Sequence, residues 1–189
     1  MDVWCAIRTY PKHAQELGNP IPQEPVFFLK PNSSVSKFDK IETCEGDVHH
    51  EIELVLKLGA DLIPVQMALG LDLTKRSIQD RLKIEGLPWA EAKAFVGSAV
   101  IGDWLDYDPR AEYSLSINGN EIQTGSLTQM SWTPKELIDK LSSWAPIKEG
   151  DVLFTGTPAG VGPLMAGDEV IASLYLDGEC INQQSAECV

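Results

Sequence analysis

What the chain has little of sets the first limits. Its 189 residues carry 15 Lys and Arg against 28 Asp and Glu, a formal charge of −13, with no basic run. That balance argues against nucleic acid or an anionic lipid surface as a partner. No apolar stretch approaches the length of a membrane span, and the first twenty residues, with Arg8, Pro11, Lys12 and His13, hold no signal-type apolar segment. The expected compartment is the cytosol. Cys5, Cys44, Cys180 and Cys188 show neither CxxC pairing nor zinc spacing, so reduced, mostly structural thiols are expected. Repeats, low-complexity tracts and a dividing linker are absent, and the length suits one domain spanning residues 1–189.

What is there is mostly β. The segments "VWCAIR" from Val3, "VFFLK" from Val26, "EIELVLKL" from Glu51, "YSLSI" from Tyr113, "EIQT" from Glu121, "DVLFT" from Asp151 and "EVIASLYL" from Glu169 read as strands. Asn118-Gly119 and Asp177-Gly178 lie between pairs of them, and both dipeptides accept the positive φ angles of a type I′ turn, so the sheets are partly antiparallel. Helices are few. Thr133, Pro134 and Glu136 form a capping box ahead of the apolar stripe Leu137, Ile138, Leu141 and Trp144. A second helix is expected from about Thr74 to Gly86, and a short turn around "PKHAQELG" would bring His13 and Glu16 to one side. The fold class is therefore α+β, mostly β with few helices.

The segment "VHHEIELVL" is odd as a core strand. Side chains alternate along a strand, so His49, Glu51 and Glu53 share one face while His50, Ile52, Leu54 and Leu56 share the other. Two carboxylates aimed the same way repel unless a cation lies between them. Hard oxygen ligands suit Mg2+, Mn2+ or Ca2+ better than zinc; a solvated edge strand is the alternative. Asp72, ending the apolar run of "MALGLD", is the best third carboxylate, and equally a helix-capping residue. The connection from Gly59 to Asp72 is short and contains Pro64, leaving room for a turn or two of helix at most. "TGTPAGVG", from Thr155, follows a strand and could turn backbone N–H groups and the Thr157 hydroxyl toward an anion, a carboxylate being the better guess, or serve only as a structural loop.

Taken together and in order, "RTYPKHAQELG", "EPVFFLKPNSS", "VHHEIEL", "LDLTKRSIQD", "LPWAEAKAF" and "LFTGTPAGVGPL" resemble the fumarylacetoacetate hydrolase family, from about Arg8 to Val170. The likeness is greatest to its small members that act as acylpyruvate hydrolases or oxaloacetate decarboxylases. The resemblance implies a mixed β-sandwich roll, usually a homodimer, with residues 1–25 forming an N-terminal strand and a lid. It implies Glu51, Glu53 and Asp72 as ligands of Mg2+ or Mn2+, and His13 with Glu16 as the pair that activates water. By the same resemblance Lys93 is catalytic, and Arg8, Tyr10, Arg76, Gln79, Gly156 and Thr157 bind the substrate. Ser77 stands where the family pattern has an acid.

The implied reaction is metal-dependent cleavage of a C–C bond in a small 2-oxo acid, by acylpyruvate hydrolysis or oxaloacetate decarboxylation through a stabilised enolate. An oxaloacetate keto–enol tautomerase or isomerase at the same site is one alternative. A non-catalytic metal- or metabolite-binding member is the other.

Overall fold

The computed structural model describes residues 1–16, 18 and 20–189. Leu17 and Asn19, in the expected lid segment, lie outside the described residues. The chain opens with β1 (Val3–Ile7), α1 (Pro11–Glu16), β2 (Val26–Lys30), β3 (Val35–Ser36) and β4 (Lys40–Ile41). Next come β5 (Val48–His50), β6 (Ile52–Leu58), β7 (Pro64–Asp72), β8 (Thr74–Lys75), α2 (Arg76–Glu85) and α3 (Ala90–Lys93). Then follow β9 (Ala99–Ile101), β10 (Leu105–Asp106), β11 (Glu112–Ile117), β12 (Asn120–Ser126) and α4 (Pro134–Ser142). The last elements are β13 (Val152–Phe154), β14 (Gly162–Pro163), β15 (Glu169–Leu176) and β16 (Glu179–Cys188).

An eight-stranded sheet runs β2-β1-β13-β6-β7-β9-β3, with β10 also paired to β7. A five-stranded sheet runs β12-β11-β15-β16-β4, and a small third sheet runs β14-β5-β8. Pairing is mixed: β1 lies parallel to β13, whereas β6 and β7 form an antiparallel hairpin. Both expected I′ turns are present, with φ of 51° and 77° at Asn118-Gly119 and 50° and 83° at Asp177-Gly178. The Thr133 capping box closes as expected, Thr133 N–H donating to Glu136 Oε2 at 2.7 Å and Glu136 N–H to Thr133 Oγ1 at 3.3 Å. The second helix starts at Arg76 instead of Thr74, because Thr74 and Lys75 pair with β5 first; Gly86 caps its end at φ 67°.

The period-2 alternation of β6 feeds two of the three apolar clusters seen among the described residues. Ile52, Leu54 and Leu56 join Met67, Leu69 and Leu71 of β7 against Tyr113, Leu115, Val170, Ala172 and Leu174 of the five-stranded sheet. Val55 faces the other way, into a second core with Val3, Cys5, Ala68, Val152 and Phe154. Glu51 and Glu53 share that second face, at one end of it. All four cysteines are free thiols; Cys5 and Cys188 are buried, but Cys44 and Cys180 are exposed, so only half of them serve the packing role expected. Among the described residues no helix is long and apolar enough to cross a membrane.

Candidate active site

The β6–β7 hairpin builds the acidic centre. After β6 the chain turns tightly, Gly59 N–H donating to Ile63 O at 2.9 Å and Leu62 N–H to Gly59 O at 3.0 Å, with Leu62 at a φ of 58°. The turn or two of helix allowed by the sequence does not form, and β7 begins at Pro64, where a missing N–H costs least. The strand then runs straight back beside β6, pairing Glu53 with Gly70 and Ile52 with Leu71. Gly70 permits this closeness, since a Cβ there would run into Val55, Phe154 and the Val100 carbonyl. Asp72 thus arrives beside Glu51, its N–H donating to the Glu51 carbonyl at 2.9 Å.

The carboxylates of Glu51, Glu53 and Asp72 each place an oxygen within 4.8 Å of the others, and all three residues are buried. Lys93, at the end of α3, donates to Glu51 Oε2 at 2.9 Å and to Asp72 Oδ2 at 2.8 Å. Arg76, at the start of α2, donates to Glu51 Oε1 at 2.7 Å and to Gln79 Oε1 at 2.6 Å. The Thr74 hydroxyl donates to Glu51 Oε1 at 3.1 Å. At the position of the missing acid, Ser77 instead donates its backbone N–H to Asp47 at 2.8 Å.

These partners treat the two glutamates oppositely. Burial would raise the Glu51 carboxyl, but Lys93 and Arg76 outweigh it and hold the group well below the usual carboxylate range. Burial likewise would lower Lys93, and Asp72 and Glu51 push it up, so it stays an ammonium. Glu53 makes no ion pair among the described residues. Burial first, then the Asp72 charge, push its carboxyl well above the ordinary value, outweighing the Gly156 N–H, which donates to Oε2 at 2.6 Å, and the more distant Lys93 ammonium.

Lys30 is one residue that sequence reasoning missed. Its fully buried ammonium donates to the carbonyls of Leu73 at 3.2 Å and Ser98 at 2.8 Å. It also lies 2.8 Å from Asp72 Oδ1, and so forms a buried ion pair with it. Three buried carboxylates with oxygens within 4.8 Å of one another, an all-oxygen donor set, fit a hard divalent cation.

The cleft above the triad occupies about 460 Å3 including its mouth. Arg8, His13, Arg76, Gln79, Lys93 and Thr157 line it, with Lys83 and Trp89 beside them. Cationic side chains so grouped in a chain of charge −13 mark the pocket for an anion. From α1, His13 reaches Glu16 through Nδ1 at 3.2 Å, and among the described residues its other ring nitrogen makes no hydrogen bond. Glu16 in turn accepts from Gly160 N–H at 3.0 Å, which ties α1 to the glycine loop. Two expected substrate contacts take other places. Tyr10 turns into the core, its hydroxyl 2.6 Å from that of Tyr113 and donating to Ser126 O at 3.1 Å, because the aromatic ring gains more by burial there. Gly156 spends its N–H on Glu53 instead of on the cleft.

Comparison with known proteins agrees with this geometry. The family model described as Fumarylacetoacetate (FAA) hydrolase C-terminal matches residues 2–184. The chain is 38% identical to oxaloacetate tautomerase YcgM of Escherichia coli, over 95% of this chain and 90% of that relative. It is 34% identical to the mitochondrial oxaloacetate decarboxylase of Dictyostelium discoideum, over 86% of this chain and 84% of that relative. Fumarylpyruvate hydrolase from Pseudomonas aeruginosa, solved in complex with Mn2+ and pyruvate, superposes with a TM-score of 0.89 at 32% identity, covering 100% of this chain and 89% of that one. In sequence and in architecture alike, the chain belongs to the fumarylacetoacetate hydrolase family.

Proposed function

We propose that the protein is a divalent-metal-dependent enzyme that cleaves a C–C bond in a small 2-oxo acid through an enolate. The observation that carries the reading is the buried triad of Glu51, Glu53 and Asp72 opening into a cleft lined by cations. A Mg2+ or Mn2+ ion held there would act as a Lewis acid for the developing enolate charge. Arg76 and Gln79, already bonded to each other, present the guanidinium and amide to the substrate end of the cleft. Lys93 offsets negative charge beside the reacting group as a fixed ammonium.

In acylpyruvate hydrolysis, His13 takes a proton from water as its oxygen bonds to the distal carbonyl carbon, with Glu16 holding the imidazole at Nδ1. The C3–C4 bond then breaks, its electron pair passes into the enolate, and protonation at C3 gives pyruvate. In decarboxylation of oxaloacetate no water attacks: the C3–C4 bond breaks, C4 leaves as CO2, the electron pair forms the same enolate, and protonation at C3 gives pyruvate. Tautomerisation of oxaloacetate is a second reading, favoured by the name of the Escherichia coli relative. It needs the metal triad and Lys93, but not water activation by His13. The homodimer expected from the family likeness is part of the proposal.

The test is a panel of acetylpyruvate, fumarylpyruvate and oxaloacetate, with Mg2+ or with EDTA, in which enol decay is followed separately from release of pyruvate or CO2. Metal-dependent pyruvate release supports the first reading, and metal-dependent enol decay without release supports the second. Inactivity on all three substrates would overturn both.

A further inference from the structure

Gln123 lies on β12, in the five-stranded sheet, yet its side chain reaches into the site from behind. It is buried, and its amide is fully engaged. Oε1 accepts from the Ile52 N–H at 3.2 Å and from His50 Nδ1 at 2.9 Å. Nε2 donates to Thr157 Oγ1 at 2.9 Å and to Pro158 O at 2.8 Å. One residue of the second sheet thereby ties the metal-bearing strand to the glycine loop.

The orientation of this amide is forced. The Ile52 N–H can only donate and the Pro158 carbonyl can only accept, so a flipped amide would set donor against donor and acceptor against acceptor. Two assignments follow in opposite directions. His50 must carry a proton on Nδ1, because the amide oxygen facing it has none to give. Thr157 Oγ1 must accept from Gln123, so its own hydroxyl proton is directed elsewhere. Among the described residues that hydroxyl makes no other hydrogen bond, and Thr157 lines the cleft.

We propose that Gln123 is a positioning residue that sets the Thr157 hydroxyl as an obligate donor into the cleft, where it selects an acceptor oxygen of the ligand, such as a carboxylate, over a group that can only donate. The inference deepens the 2-oxo acid reading and rests on it for the ligand. Gln123→Glu is the informative substitution. An ionised carboxylate keeps the acceptors for Ile52 and His50 but has no proton for Thr157 or the Pro158 carbonyl, so the Pro158 bond is lost and the Thr157 hydroxyl must turn round and donate to it.

The test uses Mn2+-loaded protein titrated calorimetrically with oxalate as the probe. Gln123→Glu should weaken oxalate binding about 10- to 100-fold, the worth of a hydrogen bond to a charged group, with Mn2+ affinity unchanged within about threefold, less than half a decade on the same scale. Thr157→Val should cost about the same alone and add little in the Gln123→Glu background, because both remove one donor. Additive losses, or an unchanged oxalate affinity in Gln123→Glu, would overturn the inference. A second readout needs neither a variant nor a ligand: long-range 1H–15N NMR of the EDTA-treated wild type should find the His50 proton on Nδ1. A proton on Nε2 alone would overturn the inference even if every titration fails. Wild type that binds neither Mn2+ nor oxalate would instead overturn the 2-oxo acid reading, leaving the His50 result to decide the network.

Discussion

Replacing Gly156 with alanine strikes the joint between the glycine loop and the metal strand. Gly156 sits at a φ of 99°, where an L side chain is strained by about 1–2 kcal/mol. Its new Cβ would collide with Thr9 Oγ1, which cannot retreat without breaking its own 2.7 Å bond to the Thr155 carbonyl. Overpacking of this kind costs about 1–3 kcal/mol. If the loop moves to relieve the clash, the Gly156 N–H leaves Glu53, and a buried hydrogen bond of about 0.5–1.5 kcal/mol is lost. One displacement trades the clash against the bond, so the terms overlap and a destabilisation of about 2–5 kcal/mol is expected. Urea unfolding of EDTA-treated protein, followed by tryptophan fluorescence, should show a midpoint lowered by about 1–2.5 M for a slope of about 2 kcal/mol/M. Calorimetry should show Mn2+ affinity lowered about 10- to 100-fold, as for other groups that orient a metal ligand. An unchanged midpoint together with unchanged Mn2+ affinity would refute the reasoning.

Three further outcomes are expected. His13→Ala should slow pyruvate release from an acylpyruvate by about 10²- to 10⁴-fold while leaving Mn2+ affinity intact; full hydrolytic activity in this variant would remove the proposed water activation. Glu53→Gln should abolish Mn2+ binding yet stabilise the metal-free protein at neutral pH. Between the ordinary carboxyl value and the raised native one, native Glu53 holds a proton that the unfolded chain has lost, so wild-type stability falls as pH rises through that window. Thermal unfolding with EDTA from pH 4 to pH 8 should therefore show wild type and variant diverging as pH rises, and parallel curves would contradict the burial argument. Lys30→Met should destabilise by about 3–5 kcal/mol in urea unfolding, because Asp72 and the Leu73 and Ser98 carbonyls lose a buried cation; a change below about 1 kcal/mol would place Lys30 among weak exposed pairs instead.

The features legible in the sequence are those set by neighbours along the chain. Period-2 alternation placed Glu51 and Glu53 on one face, the two dipeptide turns needed positive φ, and Thr133 with Glu136 wrote its own cap. Features made by distant segments were not legible. Lys30 reads as the polar end of an apolar strand until β1, β7 and the Ser98 segment close around it, and nothing near residue 30 announces Asp72. Gln123 reads as one more polar residue of an exposed hairpin, since Glu121, Ile122 and Thr124 beside it are exposed. A register shift in the pairing of β11 with β12, between Leu115 and Ser116, lies next to the Leu115–Gln123 pair. Tyr10 followed the rule for aromatic burial against the expectation of a substrate contact. The short path from Gly59 proved sufficient because a hairpin needs only a turn, where a crossover would need a helix.

The central claim is that Glu51, Glu53 and Asp72 hold a catalytic divalent cation. Calorimetric titration of EDTA-treated, dialysed protein with Mn2+ tests it most directly, with Asp72→Asn and Glu53→Gln alongside. The account predicts one ion bound per wild-type chain, proton release on binding as Glu53 gives up its proton, and no binding in either variant. Wild type that binds no Mn2+, or variants that bind it as tightly as wild type, would contradict it.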